Sequence, residues 1–230
     1  MAASLKNLEI ISLFDAPEEH TIAASLLNEC TYPWEVLPQL SKYILELGKT
    51  LSPLEYERRG EDIWIAKGAK IAPSASISGP TIICDGAEIR QCAYIRGSAI
   101  VGRGCVVGNS VELKNCLLFD KVQVPHFNYV GDSILGYRSH MGAGAVTSNV
   151  KSDKTPVTVK LPDEKVATGL KKMGAILGDF VEVGCNTVLN PGTIIGKCTN
   201  VYPLSSVRGY IPGGHIYKTG GVTVKKNDTK

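Results

Sequence analysis

Between Ile65 and Leu113 every sixth residue is a branched aliphatic: Ile65, Ile71, Ile77, Ile83, Ile89, Ile95, Val101, Val107 and Leu113. Two positions before each stands a second, mostly small series: Ile63, Ala69, Ala75, Thr81, Ala87, Ala93, Ala99, Cys105 and Val111. An amphipathic helix would place apolar residues at i, i+3, i+4 and i+7, and a lone strand would alternate with period two. A strict period of six fits neither, so the repeating object is a structural unit and the chain reads as a solenoid. The aliphatic and the small residue two before it lie on the same side of a short strand. Each hexad thus sends one pair inward. Glycines follow the column at Gly102, Gly108, Gly136, Gly142, Gly178, Gly184 and Gly196, where a residue free to take positive φ suits a corner.

This pattern, aliphatic-Gly-x-x-small-x, resembles the hexapeptide repeat of left-handed parallel β-helices. The resemblance implies an all-β solenoid in which three hexads make the sides of a triangular coil, with coils stacked at roughly 4.8 Å. Residues 1–62 lie outside it and predict a helical cap or arm. Ile10, Ile11, Leu13 and Phe14 form a short apolar run, and 20–27 reads as helical with Thr21 as a cap. Val36, Leu37, Leu40, Tyr43, Ile44 and Leu47 stand at helical spacing before a stop at Gly48. A solenoid's end presents unpaired edges, so this segment, with Trp34 and Tyr43, is expected to pack onto the first coil.

The β-helix is expected over 63–209, followed by a C-terminal extension at 210–230. Two breaks interrupt it. After Phe119 the stretch DKVQVPHFNYV keeps no clean hexad, and Pro125 occupies the next aliphatic place; the register returns at Leu135 and Met141. Residues 151–172, rich in Lys, Asp and Pro, predict a loop with a short strand near 157–160. The period then resumes at Leu177, Val183, Leu189, Ile195, Val201 and Val207. Regular coils build a scaffold, so function is expected at the breaks.

Composition narrows the classes. With 7% aromatics the core is aliphatic, and a net charge of +3 gives no case for nucleic acid, even with the basic tail from Lys225 to Lys230. No apolar run reaches membrane-span length and the first ten residues hold no signal core, so a cytoplasmic protein is expected. Seven cysteines without a C-x-x-C pair predict neither disulfides nor zinc. Arg96 and Lys114 are eighteen residues apart, one coil, and two stacked cations repel unless an anion lies between them. That predicts a phosphate-like ligand. His126, inside the first break, is the candidate for proton transfer.

Residues 111–149, VELKNCLLFDKVQVPHFNYVGDSILGYRSHMGAGAVTSN, are similar to the C-terminal acetyltransferase domain of the bifunctional UDP-N-acetylglucosamine pyrophosphorylase/glucosamine-1-phosphate acetyltransferase. V-E-x-K, H-x-x-Y-x-G-D, G-A-G and T-x-N recur at the family's spacing, and the likeness covers roughly 63–208. It implies an acetyl-CoA-dependent N-acetyltransferase acting on an amino sugar, as sugar phosphate or nucleotide sugar. His126 matches the catalytic base that takes the amine proton, and Ala143 the backbone N–H that meets the thioester carbonyl. Arg96, Lys114 and Tyr129 match residues holding the sugar phosphate. Asn149 matches a contact to the sugar or its acetyl group, and Lys154, or Lys151, the loop lysine. Cys185 and Pro203 match the pantetheine contacts, and Arg208 is grouped with them.

The sequence departs from the family at His140, where Asn stands, at Val150 in place of Tyr, at Cys185 in place of Ser, and at Pro203, which has no N–H to donate. No nucleotidyltransferase domain is present, so pyrophosphorylase activity is not expected. The family likeness also implies a homotrimer with interfacial sites, residues 151–172 reaching across to a neighbour. Two other readings compete. In one, a non-catalytic module binds sugar nucleotide or scaffolds a nucleotidyltransferase. The other, a metal-dependent hydratase on the same fold, needs three histidines, and His126 and His140 stand fourteen apart with no H-x-x-x-x-H pair.

Overall fold

In the computed structural model, which describes residues 4–227, the hexads form a left-handed parallel β-helix of about nine turns. Strands stack on three faces. The first carries Ile63–Ala66, Thr81–Ile83, Ala99–Val101 and their successors down to Tyr210–Ile211. The second runs from Lys70–Ile71 to His215–Tyr217, and the third from Ser76–Ile77 to Ser206–Val207. Burial of the column from Ile83 to Val207 supplies the core. Each fully buried aliphatic contributes on the order of 2 kcal/mol of transfer free energy.

The expected break at Pro125 is not a break in the column. Leu117 pairs with Ile100 and Leu118 with Val101, seventeen residues apart, whereas Leu113 pairs with Ile95, eighteen apart. One residue is therefore missing at the corner between Leu113 and Leu118. The column proceeds through Leu118, Val124, Val130 and Leu135, all 0% exposed, and Pro125 stands one past it. A second five-residue step separates Val130 from Leu135. At both short steps the chain runs round the corner as one strand, Glu112–Leu118 and Tyr129–Leu135, through Asn115 and Asp132 at φ +48°. Asn and Asp are the side chains that best tolerate this left-handed region.

The third corner, which joins the third face to the first, takes up every length change. It holds both five-residue steps, the 151–172 insertion, and a four-residue step from Val207 to Ile211. The stack also continues beyond residue 209: Ile195 pairs with Ile211 and Val201 with Tyr217, and Thr223–Lys225 closes the end antiparallel to His215–Tyr217. Lys225 and Lys226 of the basic tail are described; residues 228–230 are not.

Two further expectations are corrected. The glycines after the column do not take positive φ; that conformation falls two residues later, at Gly104, Ser110, Arg138, Gly144, Phe180, Asn186 and Cys198. Those glycines instead allow close stacking, since a Cβ on Gly108 would overlap the Pro125 carbonyl and one on Gly184 the Pro203 ring. The N-terminal helices do not sit over the solenoid's end. The end is covered by Tyr56–Arg58, antiparallel to Ile63–Ala66, while the helix Leu40–Thr50 lies along the first face and runs through Gly48, which packs on Trp64. Phe14 stacks near Phe119 at 4.7 Å and His20 on Tyr137 at 3.7 Å, so the segment follows the first corner down to Asp179, which accepts the Asp15 N–H. Trp34 is buried against Tyr32, and Tyr43 bonds back to the Ile22 carbonyl, so both serve the cap's own packing.

No described helix is long and apolar enough to cross a membrane. The close approach at Gly108 gives a stability test. Gly108→Ala would force the coil carrying Pro125 and His126 outward, a backbone overlap worth about 3 kcal/mol. The expected result is a clear drop in the urea midpoint, and an unchanged midpoint would contradict the stacking.

Candidate functional site

Most of the residues singled out from sequence fall on the two edges of the third face. At the third corner, register puts Arg96, Lys114, Gly131, Ser148, Asn190 and Arg208 in one axial line. The stacked cations at its head are each met by a carboxylate rather than waiting for an anion. Glu112 accepts from Arg96 at 2.7 Å and Asp132 from Lys114 at 3.3 Å. Repulsion between the two stacked cations is thus relieved inside the chain, without an anion.

Asp132 is the hub. It is 4% exposed and accepts from Lys114, from the Asn115 amide at 2.9 Å and from the Asn149 amide. Asn149 also donates to the Tyr129 hydroxyl at 3.2 Å, and its backbone carbonyl accepts from Met173 N. The Tyr129 ring lies over Gly131, where any Cβ would strike the phenol. Burial, with Asp132 and Glu112 adding to it, pushes the Tyr129 phenol above its usual range. It stays neutral, accepts from Asn149 and has its own proton to give. The two five-residue steps create this cluster, because they place Asn115 and Asp132 on successive coils in the same left-handed conformation.

The opposite edge of the third face, the second corner, carries Asn109, His126, Ala143, Cys185 and Pro203 in another axial line. Backbone bonds tie it together: Gly144 N donates to His126 O at 3.0 Å, Asn186 N to Ala143 O at 2.8 Å and Leu204 N to Cys185 O at 2.9 Å. His126 is exposed and Ala143 half-buried. Gly142 N and Gly144 N, on either side of Ala143, are both engaged, whereas Ala143 N donates to nothing among the described residues. Asn128, 2% exposed, occupies an inward position directly after the turn. Its Oδ1 accepts from His126 N at 3.1 Å, and its amide donates to Gly142 O and Ala145 O at 2.8 and 3.0 Å. One buried side chain therefore locks the coil of His126 to the coil of Ala143. Sequence reasoning passed over Asn128, Glu112 and Asp132; an Asn in an otherwise apolar or small inward series was the available signal.

Not every candidate gathers here. His140 points out from the second face, where Nδ1 lies 2.8 Å from the Glu182 carboxylate above a hollow of about 710 Å³ that Lys121, Arg138 and Phe180 also line. That is a different face from Tyr129 and Asn149. Lys154 is exposed in a loop turn at φ +59°, and it is Lys151 that turns back toward the corner. Arg208 stands on the third corner, bonded to Asn190 Oδ1 at 3.1 Å, across the face from Cys185 and Pro203. The 151–172 insertion does not extend away from its own chain: Val157, Val159 and Leu161 are buried against the solenoid. No three His, Cys, Asp or Glu side chains converge among the described residues.

A parallel β-helix of hexads, with its polar groups on two corners of one face, defines the chain as a hexapeptide-repeat protein. It belongs to the GMPPB C-terminal domain family, which it matches over residues 77–200. It is similar to bifunctional protein GlmU of Methanococcus aeolicus, 39% identical over 188 residues, covering 74% of this chain and 42% of that protein. A bifunctional sugar-1-phosphate nucleotidylyltransferase/acetyltransferase of Sulfurisphaera tokodaii is 30% identical over 196 residues, covering 76% and 49%. The chain thus spans less than half the length of these relatives. Among solved structures it matches a point mutant of AntD, an N-acyltransferase from Bacillus cereus, in complex with dTDP and coenzyme A. That match has a TM-score of 0.39 at 16% identity, covering 76% and 92%.

The two carboxylates of the cluster differ in what they hold, which separates their effects. Asp132→Ala strands three buried or half-buried donors and should cost about 2 kcal/mol. Glu112→Ala removes only a solvent-screened surface pair with Arg96, which adds little to stability. Denaturant titrations of the two variants side by side should therefore show Asp132→Ala clearly the less stable; equal losses would count against the hub.

Proposed function

We propose that this chain is an acetyl-CoA-dependent N-acetyltransferase for an amino sugar carrying a phosphate or a nucleotide. The observation that supports it best is the second corner, where an exposed imidazole stands one coil from a backbone N–H with no internal partner. With the amino sugar lying across the third face, Tyr129, Lys114, Arg96 and Asn149 orient its hydroxyls and phosphate, and its nitrogen meets His126. His126 takes the amine proton as the N–C bond forms. Ala143 N–H stabilises the oxyanion of the tetrahedral intermediate. The C–S bond then breaks, and the thiolate of coenzyme A leaves with the proton held by the imidazolium. The pantetheine arm follows the line past Cys185 and Pro203.

The names of the curated relatives support the same class. A homotrimer completes the reading, with the edges of the third face lying at chain–chain contacts; Phe127 and Leu204, 61% and 72% exposed there, are apolar residues that a neighbour would cover. Seven free thiols suit the reducing cytoplasm. The Glu112 and Asp132 carboxylates favour a second reading, in which a module already neutralised at its phosphate contacts binds sugar nucleotide or scaffolds a nucleotidyltransferase. That module would co-purify with such an enzyme and cleave no thioester.

Thiol release from acetyl-CoA against free, 1-phosphorylated and nucleotide-linked amino sugars separates the two readings. His126→Ala should lower turnover by at least about 100-fold while coenzyme A still binds by calorimetry. Full activity in that variant would overturn the mechanism. Cys185, exposed on the coenzyme line, should alkylate more slowly when coenzyme A is bound. Cys92, also exposed but off that line, serves as the unprotected reference.

A further inference from the structure

The 151–172 insertion folds into a hairpin, Thr158–Lys160 against Lys165–Ala167, in which Lys160 directly faces Lys165. Like charges opposite one another on paired strands repel, yet the hairpin is firmly seated. Val157 and Val159 are fully buried, and the Thr158 and Lys160 carbonyls lie so close over Gly192 and Gly209 that neither has room for a Cβ. Gly209 follows Arg208, so the seating delivers both lysines to the Arg208 guanidinium. Lys151 enters from the base of the loop. These four cations, with Thr158 and Pro191, line a cleft of about 280 Å³. An adjoining hollow of about 400 Å³ shares Lys151, Pro191 and Arg208 and adds Ser148, Val150, Ser152, Asn190 and the Lys151 partner Asp153.

The charges here are not answered as they are at Arg96 and Lys114. Asp153 reaches Lys151 at 3.5 Å, but among the described residues no carboxylate pairs with Lys160, Lys165 or Arg208. Asp163 and Glu164, at the hairpin tip, are not part of the lining. Arg208 sits four coils from Lys114 along the third corner, roughly 19 Å at ordinary strand spacing, so this is a separate site.

We propose that the cleft binds the diphosphate of a nucleotide. Two unpaired lysines and the unpaired Arg208 guanidinium, with Lys151 at the edge, match a compact anion of two to three charges through charge-assisted bonds, and the hydroxyls and amide of the adjoining hollow suit a ribose. A long polyanion fits less well, since the chain's net charge is only +3. The diphosphate comes either from coenzyme A or from a sugar nucleotide, and that choice alone rests on the acyltransferase reading.

Calorimetric titration with inorganic diphosphate, coenzyme A and UDP tests the site in the whole chain and its Lys160→Ala/Lys165→Ala variant. Both substitutions lie on exposed positions, and circular dichroism confirms folding. The expected result is at least tenfold weaker diphosphate binding in the variant, with a shallower salt dependence. A matching loss for coenzyme A alone assigns the cleft to the coenzyme; one for UDP alone assigns it to the acceptor nucleotide. Unchanged diphosphate affinity overturns the proposal. Because the readout needs no turnover, a chain inert in thiol release that still shows this loss would fail as an acetyltransferase and keep the site.

Discussion

The constraint on which the rest of this molecule depends is the axial hydrogen-bond ladder between coils. Buried backbone N–H and C=O groups must be paired, and here the partner is the neighbouring coil. Each residue therefore has a fixed axial neighbour sixteen, seventeen or eighteen residues away, or forty-two across the insertion. A change in coil length can be absorbed only where no ladder has to be continued, at a corner. All such changes fall at the third corner, and the groups that differ most from the repeat collect there. His126 and Ala143, by contrast, owe their alignment to coils that kept their register at the second corner.

The two cationic clusters on the third corner show one physical rule with two outcomes. Arg96 and Lys114 are stacked like charges, and Glu112 and Asp132 neutralise them within the fold. Lys160, Lys165 and Arg208 are brought together by a hairpin whose burial is apolar and independent of their charge, and among the described residues no carboxylate pairs with them. The first arrangement is stable alone and selects for hydrogen-bond geometry. The second is relieved only by water, salt or an anion, which makes it the better candidate for a ligand held chiefly by charge.

Much of this was legible in the sequence because the period of six states directly which residues point inward. Ile65 to Leu113 could be assigned without any knowledge of the fold, and the resemblance singled out His126 and Ala143, which the register sets one coil apart. The five-residue steps were not legible. Pro125 lies six after Phe119, so counting by six from a residue one past the column lands on it and hides Val124. The glycines were misread because sequence marks that a Cβ is absent without saying whether φ or a neighbouring coil demands it. The helix Leu40–Thr50 announced an apolar stripe, but a stripe does not say which surface it covers. Lys160 and Lys165 become opposed only through hairpin register, which their spacing of five leaves open.

Covering the first face has a consequence for assembly. The helices occupy it from Thr81–Ile83 through the coil of Glu112–Leu118, and the segment around Phe14 to His20 extends down the first corner. A second copy can therefore approach closely only on the second or third face. The second carries Gln123, His140, Glu182 and Asn200 in register over the middle of its outer row, whereas the third exposes Val188, with Phe127 and Leu204 exposed along its second-corner edge. Apolar area removed from water is what drives association, so the third face is the one a neighbour would bury. Its two edges are the His126 line and the Asp132 cluster. In the proposed trimer the same surface that binds the neighbour also brings the proton acceptor and the sugar contacts into one enclosed space, which a lone chain leaves open to water.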